Sequence, residues 1–209
     1  MWGDLLDWIG TATESVLAPV ASVLEPAADE AAWGWAVLLL GAAWRILTWP
    51  WLVSGARRRI DRQRGSEPDP DGGPGTFGRI GTAFGLAQFL LVVVIALWSR
   101  TGPSAEDAAF YGLETLSSPP VTQGLGGLAW AAALAVAGTA AGLLGQRAAG
   151  VDDQRQRFFA RYIAPVVFAC LGLFLPAAMV VPFAAAMALN AAAVRAAARG
   201  DRGPVEAAA

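Results

Sequence analysis

The stretch "WGWAVLLLGAAWRILTWPW", Trp33 to Trp51, is apolar over the length of a membrane span yet carries Arg45 beyond its midpoint. A charged side chain at the centre of a transmembrane helix costs about 2.5–3.5 kcal/mol on insertion scales, and it persists where it faces water, a partner or a cavity. Arg45 is therefore the first candidate for chemistry. The other polar side chains set in apolar runs are Thr48, Gln88, Thr139, Gln146 and Asn190, all uncharged. None of the runs carries a carboxylate at depth, which disfavours an ion-coupled transporter or solute channel. The chain has no histidine, and its one cysteine, Cys170, lies in an apolar run. The commonest general base, the commonest metal ligand and any disulfide or CxxC pair are thereby excluded. No phosphate-binding loop, zinc spacing or nucleophile elbow occurs. The expectation is a protein that is not an enzyme and holds no metal and no cofactor.

The elements that would position these residues follow from composition. Of 209 residues, 56% are hydrophobic and 15% charged, with a mean hydropathy of +0.47, where soluble domains carry about 25% charged residues. This predicts an all-α integral membrane protein. Every basic residue is Arg, which with the Ala, Gly and Pro content points to a GC-rich bacterial genome. Apolar windows predict spans over residues 33–53, 77–98 and 124–144. From Phe158 to Val194 the chain stays apolar for longer than the roughly 20 residues one span needs. The prolines of "FLPAAMVVP" divide that run into spans at 158–175 and 178–195.

Arginine placement gives an independent count. Residues 1–32 have none and carry Asp4, Asp7, Glu14, Glu25, Asp29 and Glu30. Arg57, Arg58, Arg59, Arg62 and Arg64 follow the first span; Glu106, Asp107 and Glu114 outnumber Arg100 after the second. Arg147, Arg155, Arg157 and Arg161 follow the third, and Arg195, Arg199 and Arg202 the fifth. That alternation fits five spans with the N-terminus outside and the C-terminus in the cytoplasm of a bacterial plasma membrane. Domain organisation follows: an extracytoplasmic amphipathic segment (1–32), a five-span core (33–198) and a disordered tail (199–209). In the first segment, Leu5, Ile9, Val16, Val20 and Val23 are spaced for a helix lying on the outer membrane surface, though Pro19 interrupts it. "GSEPDPDGGPG", Gly65 to Gly75, reads as a linker.

The order of these motifs resembles the YidC/Oxa/Alb family of membrane protein insertases. The Trp33–Trp51 stretch, with Arg45 and Pro50, is similar to that family's first core span. Gln88 in "FGLAQFLLVVV", "FYGLETLSSPP" from Phe110, Gln146 in "LGQR", and the closing pair through Asn190 resemble its later elements in order. The resemblance covers roughly 33–195 and implies a five-transmembrane-helix bundle around a hydrophilic groove, open to the cytoplasm and to lipid. Arg45 would attract a substrate's polar or acidic tail in that groove, with Gln88, Asn190, Gln146 and Thr48 lining it. Partners would be nascent membrane proteins, the lipid bilayer, and a translocon or other membrane complex; no nucleic acid is implied. The family's charged cytoplasmic hairpin shrinks here to "SGARRRIDRQRGSEPDPDGGPGT", and the tail is only weakly basic, so ribosome docking is weak or absent. The alternative is an accessory or structural subunit of a larger membrane complex that keeps the fold without inserting proteins. Plainer readings stay open: Arg45 could snorkel to one interface, and Gln88 and Asn190 could be interhelical hydrogen-bond partners.

Overall fold

Alanine and leucine, both strong helix formers, fill the apolar runs, and backbone that meets no water must pair its N–H and C=O groups internally. The computed structural model describes residues 2–63, 76–102, 104–150 and 154–200. Their helices are α1 (Trp2–Ala28), α2 (Ala32–Leu47), α3 (Trp49–Gln63), α4 (Thr76–Thr101), α5 (Ser104–Asp107), α6 (Gly124–Ala149), α7 (Gln154–Phe158), α8 (Ala164–Phe174) and α9 (Ala177–Gly200). A π-helical turn, Phe159–Ile163, joins α7 to α8. Among the described residues the only extended pairing is an isolated bridge between Phe110 and Leu113.

Among the described residues, helices α6 and α9 are each long and apolar enough to cross a membrane, and the helical run Gly3–Leu47 with Trp49–Asp61 makes a third if that bent pair is one span. Shorter apolar stretches, Leu86–Thr101 and Phe159–Phe174, occupy the second and fourth predicted intervals. The described residues are thus all-helical, with two or three candidate spans long and apolar enough for a membrane protein. The first predicted span departs from expectation because its axis turns by 63° between Leu47 and Trp49. The linker predicted over 65–75 and the tail beyond Gly200 lie outside the described residues. Helix α9 runs through Arg199 and Gly200, so it enters the predicted tail.

Helix α9 is the hub, packing on α2, α3, α4, α6 and α8. It runs parallel to α6: Leu134 clusters with Val180 and Ala184, and Ala149 clusters with Ala197. Helix α8 runs antiparallel to α6, with Gly172 against Ala131 and Phe168 over Gly138. A Cβ on Gly172 would lie 2.7 Å from the Ala131 Cα, so only glycine permits this backbone approach.

Helix α1 turns back at Asp29, whose φ of +46° an aspartate tolerates better than most residues, and packs against α2 and α4. Its buried stripe is Gly10, Thr13, Leu17 and Ala21, at helical spacing. The larger apolar residues Leu5, Val16, Val20 and Val23 point away from the bundle and are exposed.

The segment 104–123 closes the end of the bundle where α9 begins. Leu116 and Ser118 carbonyls accept hydrogen bonds from the Ala178 and Ala177 N–H groups at 2.9 and 3.0 Å, satisfying donors that a helix start leaves orphaned. Buried Gln123 pins the segment, accepting from the Thr115 N–H at 3.1 Å and donating to the Ser118 carbonyl at 2.9 Å. Phe110, Leu113, Leu116 and Trp98 fill the space beneath it, each at most 2% exposed.

Candidate functional site

Arg45 sits in the last turn of α2, half-buried. Its Nη1 donates to Asn190 Oδ1 on α9 at 3.2 Å, and Asn190 Nδ2 reaches the Met187 sulfur at 4.0 Å. The two helices meet closely because Gly41, one turn before Arg45, receives the Pro182 ring, which a Cβ on Gly41 would approach to 2.8 Å. The guanidinium therefore has an interior partner on another helix, which is more than the snorkelling alternative requires. Its Nε is buried and has no hydrogen-bond acceptor among the described residues.

Among the described residues Trp98 Nε1, near the far end of α4, shares that condition, and so do Gln88 Oε1 on α4 and Thr139 Oγ1 on α6, the two that concern Arg45. Helix register places these two at a similar depth. Thr139 lies five residues beyond Leu134, which clusters with Val180 and Ala184; in parallel helices that brings it within about a turn of Asn190. The Trp98 and Trp33 rings stack at 5.8 Å, and α4 continues past α2 to touch α3, so α4 is antiparallel to both. From that stack Gln88 is about 15 Å along α4 and Arg45 about 18 Å along α2, at 1.5 Å per residue. By this register Gln88 and Thr139 fall at a depth similar to that of the bonded Arg45–Asn190 pair, on four helices in all. Buried polar atoms are normally hydrogen-bonded. Orphaned ones grouped at one depth suit water or a polar guest.

The remaining predicted residues serve differently. Thr48 is buried, but its hydroxyl donates to the Trp44 carbonyl at 2.8 Å and approaches the Arg45 carbonyl at 3.3 Å. Such back-bonding bends helices, and Pro50 sits in the first turn of α3, where its missing N–H costs nothing. Thr48 thus belongs to the bend. Gln146 is half-buried and lies about two turns beyond Thr139 along α6, toward the Ala149 end. Thr139 and the Gly41–Pro182 contact complete the site, yet in sequence Thr139 is only one more hydroxyl in an apolar run.

Charge divides between the two ends of the bundle. Exposed Arg57, Arg58 and Arg59 on α3, Arg147 on α6, and Arg195 and Arg199 on α9 lie at the Ala149–Ala197 end. Exposed Asp29, Glu30, Glu106, Asp107 and Glu114 lie at the end closed by 104–123. Asp61 and Arg100 run against this pattern. Compared with known proteins, the chain matches no family model, no curated protein and no solved structure.

Proposed function

We propose that this chain is a divergent membrane protein insertase or chaperone of the YidC-like five-span type, its N-terminus outside and its C-terminus in the cytoplasm of a bacterial plasma membrane. In this reading α4 and the Phe159–Phe174 stretch are the second and fourth spans, and α1 lies at the outer interface with Leu5, Val16, Val20 and Val23 toward lipid. The observation that carries it is the Arg45–Asn190 pair in a layer with two further orphaned polar atoms. A cation held at depth by one neutral partner can exchange that partner for a carboxylate.

The mechanism follows from charge and burial. A substrate's polar or acidic tail enters from the arginine-rich end, and its carboxylates compete with Asn190 for the Arg45 guanidinium. A hydrated, positively charged layer shortens the hydrocarbon barrier and offsets part of the desolvation cost of the tail. Arginine suits the task because it stays protonated in poor solvent. The substrate's apolar segment meanwhile passes to lipid, where it is at home. The packed 104–123 segment supports a groove closed at the acidic end.

The test is reconstitution in liposomes with a single-span substrate bearing an acidic N-terminal tail. Wild type is expected to insert it, and Arg45→Ala to fall to the level of empty liposomes. The accessory-subunit reading has its own observation: α3 packs against α6 and α9, and its short connection to α4 leaves no room for a recruiting hairpin. Stoichiometric partners after mild detergent extraction, with no insertion by wild type, would favour that reading.

A further inference from the structure

The run Gln154–Phe174 carries three arginines and no acidic residue, and the insertase reading makes no use of its outer face. One side of it packs inward: Ala160 is 5% exposed, and Phe168 lies over Gly138 of α6. The other side is open, with Phe158 at 56%, Phe159 at 58%, Tyr162 at 55% and Val166 at 60% exposure. Exposed aromatics of this kind, beside exposed arginines, are the composition of a membrane interface.

The backbone has a specific reason to change pitch here. Pro165 has no N–H, so the Arg161 carbonyl lacks its ordinary helical donor. The Ala164 N–H bonds instead to the Phe159 carbonyl, five residues back, and the turn Phe159–Ile163 becomes a π-helix. Such insertions cluster at functional sites. Across the start of this wider turn the Phe158 and Tyr162 rings lie with centroids 5.2 Å apart, tilted at 41°. The Arg161 guanidinium carbon lies 5.8 Å from the centre of the Tyr162 ring. Arg157 and Arg161, also four residues apart, are both exposed.

We propose that this turn is a binding site for an anionic phospholipid: the phosphate is held by Arg157 and Arg161, and the start of the acyl chains lies along Phe158, Tyr162 and Val166. Charge complementarity selects an anion, since two guanidiniums a turn apart present several donors to phosphate oxygens. The exposed apolar flank selects a lipid over free phosphate, which would leave those rings in water. The inference needs only a membrane protein and stands whether or not the chain inserts others.

The experiment reconstitutes the full chain in nanodiscs of phosphatidylcholine and phosphatidylglycerol in equal parts, extracts it gently, and counts retained lipid by native mass spectrometry. Wild type is expected to retain phosphatidylglycerol in preference to phosphatidylcholine. Arg157→Gln/Arg161→Gln should lower that retention about tenfold or more, given the attraction of basic side chains to an anionic surface. Arg195→Gln/Arg199→Gln, the same charge change on α9, should leave most of it. Equal retention of both lipids by wild type overturns the proposal. So does unchanged retention in the first variant, or equal loss in both, which would mean diffuse attraction without a site. If the first variant unfolds, Arg161→Gln against Arg199→Gln makes the same comparison with single changes.

Discussion

A double-mutant cycle on Arg45 and Asn190 addresses the centre of the argument. Both helices remain in each variant if Arg45 becomes Met and Asn190 becomes Ala, so the cycle reads the side-chain pair. Hydrogen bonds to charged groups are worth about 1.5–3 kcal/mol in general, but interhelical pairs in bilayers average about 0.6 and reach about 1.7 kcal/mol. At 3.2 Å this bond sits at the long edge of the usual N–H···O range, which lowers its strength. Its ionic donor raises it. We expect a coupling of about 1 kcal/mol, between those limits, measured as unfolding free energies in bicelles. Arg45→Met alone should cost little stability or even raise it, because it removes a half-buried charge. Asn190→Ala should cost more, because it strands that charge. A coupling below about 0.3 kcal/mol, the level at which independent sites add, would mean that the two side chains act separately and that the polar layer is not a unit.

Four other substitutions test the packing around the layer. Gly41→Ala puts a methyl 2.8 Å from the Pro182 Cβ, and a ring cannot swing aside, so α2 and α9 must part. The expected cost is about 1–3 kcal/mol in unfolding free energy, together with a weaker Arg45–Asn190 coupling. Gly172→Ala meets backbone at Ala131 and should lower the unfolding temperature clearly. Gly145→Ala meets nothing within 4 Å and should instead be neutral or gain up to about 1 kcal/mol from helix propensity; opposite signs at these two glycines are the check. Phe110→Ala, which empties a site between Trp35, Tyr111 and Trp130, should cost about 3–5 kcal/mol and expose 104–123 to protease before the rest of the chain.

What could be read from the sequence, and what could not, separates along a physical line. Hydropathy marks which segments are helical and apolar, because lipid permits little else, so the all-helical membrane class was legible. Arg45 and Asn190 were legible as residues needing a partner, since an apolar run makes a polar side chain conspicuous. That they partner each other, 145 residues apart, depends on the way α2 and α9 meet at Gly41, and no local pattern encodes that. Helix α1 shows a different limit. Its spaced large apolar residues are exposed in the structure, whereas the face that packs on the bundle, Gly10, Thr13, Leu17 and Ala21, was not legible, because close helix contact selects small side chains that a hydropathy scale ranks low. Gln123 carried no signal at all, being one polar residue in a polar loop.

The bend at Thr48 decides how deep Arg45 lies, and depth is what the functional proposal requires. In a straight helix, Arg45 to Ala56 would be about 16 Å along the axis. Helix α9 gives an independent ruler: Asn190, bonded to Arg45, and Ala197, clustered with Ala56 and Ile60, are about 10 Å apart at the same rise per residue. The missing length is taken up at the bend between Leu47 and Trp49, where the helical run turns by 63°. Helix α2 alone covers about 24 Å of the roughly 30 Å of a hydrocarbon core. Arg45, about 20 Å from the start of α2, falls in the half of that thickness nearer the arginine-rich end. There a substrate tail needs to enter only part of the membrane to reach the guanidinium, and straightening the bend would lengthen that path. Thr48→Ala with Pro50→Ala, which removes both causes of the bend, should therefore slow insertion of an acidic-tailed substrate while leaving the Arg45–Asn190 coupling measurable. If α2 and α3 straighten and insertion is unchanged, depth does not govern the reaction, and the role of Arg45 must be sought in packing.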